Sequence, residues 1–137
     1  MMTSRGELTD EDYGALADFR FALRQFLAFS ERRAADHGLK PQQHQALLAI
    51  RGAPQENVSI GYVAERLALK PHSVTGLIDR LEALGLVTRR PSPDDGRQAL
   101  LELTPKAQTL LRQLSTTHRE EIARLRPMLT ELLSRMD

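Results

Sequence analysis

The chain of 137 residues contains no cysteine and no tryptophan. Without cysteine, disulfides, thiol nucleophiles, thiol redox switches and zinc sites built on thiolates are all excluded. Aromatic residues make up only 4% of the chain, which argues against the stacking platforms that bind single-stranded nucleic acid. We therefore look for a function that depends on neither sulfur chemistry nor aromatic stacking.

The chain also lacks an excess of charge of either sign. Its 19 Lys and Arg residues face 18 Asp and Glu residues, which gives a formal net charge of +1. A protein this close to neutral cannot coat nucleic acid by bulk charge, so any such binding needs a local arrangement of basic groups. Most of the cations are Arg, which suits phosphates and base edges, although a codon bias would give the same excess.

Long apolar runs are missing as well. No segment approaches the ~20 apolar residues that a membrane span requires. Residues 1–12 are polar and carry four acids, so they lack the basic start and apolar stretch of a signal peptide. We therefore expect a single domain over residues 1–137, a cytoplasmic location and no membrane partner.

Helical periodicity dominates the rest of the chain. Apolar residues recur at steps of three and four from Tyr13 to Asp36, which predicts a long first helix. Shorter helices follow, and a Leu-rich helical segment closes the chain after Pro105. Thr116 and Thr117 could interrupt that last segment, and Pro127 marks a kink or a join between two helices. The shorter predicted helices span 41–51, 60–67 and 71–84.

The apolar period changes from helical to alternating between Leu86 and Leu103. Two short strands are predicted at 86–90 and 98–103, and the Asp95-Gly96 pair between them is a strong signal for a hairpin turn. Four helices, a hairpin and further helices indicate a mainly α (α+β) fold. Two short helices followed at once by a hairpin are typical of a winged helix-turn-helix, which we place at residues 40–104.

In such a module the second short helix lies in the major groove of DNA. Its apolar face is used by the core, whereas His72, Ser73, Thr75 and Gly76 present small or hydrogen-bonding groups on the opposite face. Small groups allow a close approach to base edges, and the helix N-terminus attracts phosphate. The alternative is that Ser73 and Thr75 are ordinary first-turn residues without a partner.

The hairpin tip carries the sharper signal. An Arg beside a turn is the side chain drawn into the negative potential of a minor groove, so Arg97 is expected to enter it. Asp95 could hold the Arg97 guanidinium by a bidentate pair, and Arg89 and Arg90 are expected to contact phosphates. The alternative is a surface turn with an ion pair of little energetic weight. The candidate DNA-binding residues are Ser59, Lys70, His72, Ser73, Thr75, Gly76, Arg80, Arg89, Arg90, Asp95 and Arg97.

The run from Gly85 to Thr104, GLVTRRPSPDDGRQALLELT, resembles the wing of the MarR family of bacterial transcription regulators. The run SVTGLIDRLE from Ser73 is similar to the recognition helix of that family. The resemblance implies that Arg97 enters the minor groove, that Asp95 orients it, and that Ser73 and Thr75 face the major groove. Many relatives carry basic residues where this chain has Gly76 and Gly96, which predicts a shallower salt dependence.

One reading helix is too little for tight and specific binding, whereas a dimer presents two to a roughly palindromic site. We assign dimerisation to the helical regions 10–37 and 105–137. The resemblance further implies a small aromatic or phenolic anion as effector, bound in a cleft between the dimer helices and the DNA-binding lobe. No motif assigns the lining of that cleft. Residues that could contact an anion, but are explained equally well as solvated, are Arg20, Arg24, His44 and Arg51.

Nothing in the sequence indicates catalysis. There is no nucleophile elbow and no phosphate loop, and the histidines at 37, 44, 72 and 118 lack the spacing of metal ligands. We therefore predict a non-enzymatic, cofactor-free dimeric repressor that binds double-stranded DNA and is released by a small molecule. The alternatives are a winged-helix interaction module without DNA binding and a metal-responsive regulator.

Overall fold

The computed structural model describes residues 6–94 and 96–136. Over these residues the fold is mainly α with one small antiparallel sheet, as predicted. The elements in chain order are α1 Asp10–Asp36, α2 Pro41–Arg51, β1 Val58–Ser59, α3 Ile60–Leu67, α4 Pro71–Ala83, β2 Val87–Pro91, β3 Ala99–Leu103, α5 Pro105–Ala123 and α6 Arg126–Met136.

The chain divides into two compact units. The helical unit comprises Met1–Arg32 and Thr116–Asp137, and the winged unit comprises Arg33–Ser115. The winged unit extends beyond the predicted 40–104 at both ends, because Ala34, Leu111 and Leu114 are buried in its core. Both boundaries consequently fall inside helices, one in α1 and one in α5.

The core of the winged unit holds the short helices against the sheet. The sheet order is β1-β3-β2, with Val58 opposite Leu101 and Val87 opposite Leu103. The apolar faces of α3 and α4 pack into the same core as α2 and the strands. Side chains that are almost fully buried there are Leu47, Val63, Val74, Ile78, Leu81, Val87 and Leu114.

The helical unit has a smaller buried interior. His118 of α5 is buried between Phe26 and Phe29, with ring centroids 5.9 and 5.8 Å away, and its Nε2 lies 2.6 Å from the Ser30 Oγ. Most large apolar side chains of this unit remain exposed. Among the described residues, Leu48 and Leu84 are the only exposed large apolar side chains outside the helical unit.

Three helix boundaries bear on the predicted ones. Helix α1 begins at Asp10, where the predicted helical region 10–37 starts, because Thr9 and Asp12 cap it reciprocally, with N–H to side-chain oxygen distances of 3.0 and 3.2 Å. Helix α5 runs unbroken through Thr116 and Thr117, so the expected interruption is wrong. Pro127 is the second residue of α6 and therefore marks a join.

Two further structural facts concern membrane spans and metal ligands. No helix in the described ranges is long and apolar enough to cross a lipid bilayer. Within those ranges, no three histidine or acidic side chains are grouped as metal ligands would be.

Candidate nucleic-acid interface

The helix-turn-helix is set by local capping. Ser59 ends β1 and begins α3, where its Oγ accepts a hydrogen bond from the Tyr62 N–H at 3.1 Å. Helix α3 stops at Ala68, whose left-handed backbone, with φ of 56°, turns the chain. Pro71 then opens α4 at a position where no N–H is needed. The two helices are thereby joined by a turn of three residues.

Helix α4 separates a buried face from a polar one. Val74, Leu77, Ile78 and Leu81 are buried, as the periodicity predicts. The Thr75 hydroxyl donates to the Pro71 carbonyl at 3.1 Å, so it offers only its lone pairs to another molecule. The side chains on the exposed side of α4 and at its N-cap include Lys70, His72, Ser73, Thr75 and Arg80, together with the acids Asp79 and Glu82.

The wing is the hairpin of β2 and β3. Arg89 lies opposite Leu101 and Pro91 lies opposite Ala99, and the Ser92 N–H donates to the Gln98 carbonyl at 3.0 Å. Arg97 is exposed in the connecting turn. A shallow cavity of about 260 Å³ is lined by Arg89, Arg90, Pro91, Gly96, Arg97, Gln98 and Ala99. Asp95, expected to orient Arg97, lies outside the described residues.

Arg89 links the wing to α4, the helix that the sequence predicts to lie in the major groove and that we call the reading helix. Its Nη2 is 2.6 Å from the Asp79 Oδ1, and its Nη1 is 3.0 Å from the Glu82 Oε1. The Nη2 also lies 3.4 Å from the Thr75 carbonyl oxygen. The Arg89 side chain is 23% exposed, whereas the Asp79 and Glu82 side chains are 63% and 47% exposed, so solvent screens both ion pairs from the carboxylate side. One guanidinium therefore holds two acids and one backbone carbonyl of α4.

The sequence analysis assigned Arg89 to phosphate contact. The structure instead engages its guanidinium within the winged unit, where it compensates the negative charges of Asp79 and Glu82 on α4. Arg90 differs, because its Nε lies 3.8 Å from Glu102 and both side chains are well exposed. Such a pair contributes about 0–1 kcal/mol to stability, so it can open toward phosphate at little cost.

We expect Arg89→Ala to weaken binding to a target duplex by about five- to thirtyfold, since loss of the guanidinium exposes two carboxylates to phosphate repulsion. The measurement is a double-mutant cycle with Asp79→Asn/Glu82→Gln, read by fluorescence anisotropy. Neutralising both acids should recover most of the loss. Arg90→Ala is the control, and its loss of duplex affinity should be the same whether or not Asp79 and Glu82 are neutralised. If neutralising the two acids recovered the affinity of both arginine variants equally, the assignment of Arg89 would be contradicted.

Ser59 was also a candidate DNA contact, and the structure employs its hydroxyl as the α3 cap. We expect Ser59→Ala to lower the free energy of unfolding by about 1 kcal/mol, as measured by urea denaturation. Ser59→Asp should retain most of the stability, because a carboxylate also caps a helix. If the alanine variant were as stable as the parent, the Ser59 cap would make no contribution to the free energy of unfolding.

Sequence reasoning missed the role of Arg89 because it depends on the approach of β2 to α4. The available signal was the pair of acids at positions 79 and 82, one turn apart on the reading helix.

Comparison with known proteins agrees with this geometry. A family model described as the MarR family matches residues 37–98. The regulator YkoM of Bacillus subtilis, described as an uncharacterized HTH-type transcriptional regulator, is 35% identical over 111 residues, which cover 77% of this chain and 70% of YkoM.

The solved structures that resemble the chain include CouR and BpsR. CouR from Rhodococcus jostii RHA1, solved bound to p-coumaroyl-CoA, is 26% identical with a TM-score of 0.64, covering 73% of this chain and 69% of CouR. BpsR of Bordetella bronchiseptica, whose DNA binding is regulated by 6-hydroxynicotinic acid, is 26% identical with a TM-score of 0.64. That match covers 85% of this chain and 93% of BpsR.

Proposed function

The chain belongs to the MarR family of DNA-binding transcription regulators, and we propose that it acts as a dimeric repressor released from DNA by a small aromatic or phenolic anion. The carrying observation is the pairing of an exposed polar face on α4 with an arginine-bearing wing fixed to it by Arg89. A helix for the major groove and a wing for the neighbouring minor groove are the two parts that such binding requires.

In this proposal six of the candidate residues contact DNA in distinct ways. Ser73 and Thr75 face base edges, Arg97 enters the minor groove, and Lys70 and Arg90 contact phosphates. His72 lies in the first turn of α4, where its exposed ring can contact a base or a phosphate. Because the net charge is only +1, these local contacts supply the electrostatic attraction.

Dimerisation is supported by the apolar surface of the helical unit. Exposed apolar side chains lie on α1, α5 and α6, and they include Phe21, Leu27, Ile122 and Leu133. Exposed apolar side chains that form a contiguous patch mark protein interfaces in water-soluble proteins. A second copy is the proposed partner, because a pseudo-palindromic site needs two reading helices related by a two-fold axis.

A small cavity in the winged unit fits the proposed effector class. It lies between α2 and α5, has a volume of about 260 Å³, and is lined by Leu48, Arg51, Gln108, Leu111, Arg112 and Ser115. The leucines offer an apolar wall for a ring, and the guanidinium groups suit a carboxylate or phenolate. The volume is below the usual range for drug-sized ligands, which favours a free aromatic acid over a bulky conjugate.

The test is selection of bound duplexes from a random pool, repeated with aromatic and phenolic acids present. Recovery of a two-fold symmetric site, with affinity falling steeply as salt rises, would support the proposal. Loss of binding on addition of an acid, with transcription from an overlapping promoter restored, would support release of a repressor. Absence of binding to any duplex would favour an interaction module that has lost DNA recognition.

A further inference from the structure

Gly76 has no evident reason to be glycine within the folded chain. It lies in the interior of α4 without a positive φ, and a Cβ added there would meet no atom closer than 3.9 Å. A glycine inside a helix costs about 1 kcal/mol relative to alanine. Neither backbone geometry nor packing explains this cost. Close approach of another molecule to the helix is the remaining use of a missing side chain.

The guanidinium of Arg80 lies over Gly76. The atom nearest to the added Cβ is the Arg80 Nη2, at 3.9 Å. Arg80 follows Gly76 by one helical turn, and side chains in a helix lean toward its N-terminus, which brings the two together. Arg80 is exposed, and no acid in the described part of the chain pairs with it, because Asp79 and Glu82 are held by Arg89.

Arg80 belongs to the last turn of α4, but its guanidinium reaches back to the level of Gly76, near the middle of the helix. The exposed residues His72, Ser73 and Arg80 share one stripe of α4 with the half-buried Gly76. The N-terminal residues of a helix in the major groove contact base edges, and the Arg80 side chain carries its guanidinium toward that part of α4. A guanidinium matches the O6 and N7 acceptors of guanine with two parallel hydrogen bonds.

We propose that Arg80 reads a guanine in each half-site, and that Gly76 keeps the helix surface low enough for the guanidinium to reach the base. This inference rests on the proposed function, because it assigns sequence preference to one residue of the same DNA-binding surface.

The test uses the full-length protein, its selected duplex, and duplexes in which each base pair is replaced in turn. Arg80→Lys keeps the charge but loses the planar fork, so preference at one G·C pair per half-site should fall by about tenfold to a hundredfold. Preferences at the other positions should persist. Gly76→Leu, a good helix former, should displace the guanidinium and give the same loss without lowering thermal stability.

Arg66→Lys on α3 is the matched control and should leave every base preference unchanged. An Arg80→Lys profile identical to that of the parent would overturn the assignment. If Arg80→Ala weakened binding to all duplexes equally and left the base preferences unchanged, Arg80 would contact a phosphate rather than a base, and the assignment would be overturned. A parent protein without any sequence preference would instead overturn the proposed function itself.

Discussion

Replacing Arg97 by alanine is expected to lower affinity for the selected duplex by about tenfold to a hundredfold per subunit. The guanidinium lies in the exposed turn between β2 and β3, and the proposed function sends it into a minor groove, where negative potential is strongest. Since the residue is exposed, the change in the free energy of unfolding should stay within about 0.5 kcal/mol. Anisotropy titrations over a range of salt concentrations measure the loss.

Two comparisons make the Arg97 result specific. Arg119→Ala removes the same charge from an exposed position on α5 in the helical unit, and should change affinity little. Arg97→Lys should recover only part of the affinity, because a compact ammonium is more strongly hydrated than a guanidinium. If Arg97→Ala bound the duplex with full affinity and unchanged salt dependence, the wing would not belong to the DNA-binding surface.

Leu133→Glu is expected to convert the protein from a dimer to a monomer and to reduce operator affinity by at least about a hundredfold, since one half-site is lost. Leu133 lies on α6 and is 56% exposed in the single chain. In a two-fold interface each substitution appears twice, and burial of an unpaired carboxylate costs several kcal/mol. Sedimentation velocity over a concentration series measures the association state directly.

The control for Leu133 is Leu84→Glu, which places the same charge on a leucine of similar exposure, 41%, in the winged unit. That variant should sediment as the parent protein does. Circular dichroism of Leu133→Glu should retain the helical signal of the parent. A Leu133→Glu protein that remains dimeric would show that α6 lies outside the interface between copies.

The parts of the fold that follow from short-range patterns were predictable. The helical period of Val74, Ile78 and Leu81 identifies the buried face of α4, and the alternation after Leu86 identifies the hairpin. Pro71 and Pro105 mark helix starts because each lacks the N–H that a first helical position leaves unused. These signals need only neighbours within a few residues.

The parts that depend on distant contacts were not predictable. Strand β1 has two residues, too few for a period, and it exists because Leu100 and Leu101 of β3 provide a pairing edge. The Thr116-Thr117 pair lowers helix propensity only slightly, and burial of Leu114 and His118 on either side outweighs it. At the candidate site, Arg89 forms ion pairs with acids of α4, and only the folded structure shows which acids lie beside it.

The pairing of β1 with β3 has a consequence for how the winged unit forms. Val58 meets Leu101 only after the chain has closed a loop of about 40 residues, and closure of a long loop costs entropy before its contacts form. Helices α3 and α4 lie inside that loop, and their apolar faces pack against α2 and the strands, so their core is complete only after the loop closes. A fragment that stops before Ala99 lacks the central strand that both edge strands need. A chain truncated before β3 is therefore not expected to give a reading helix that folds independently.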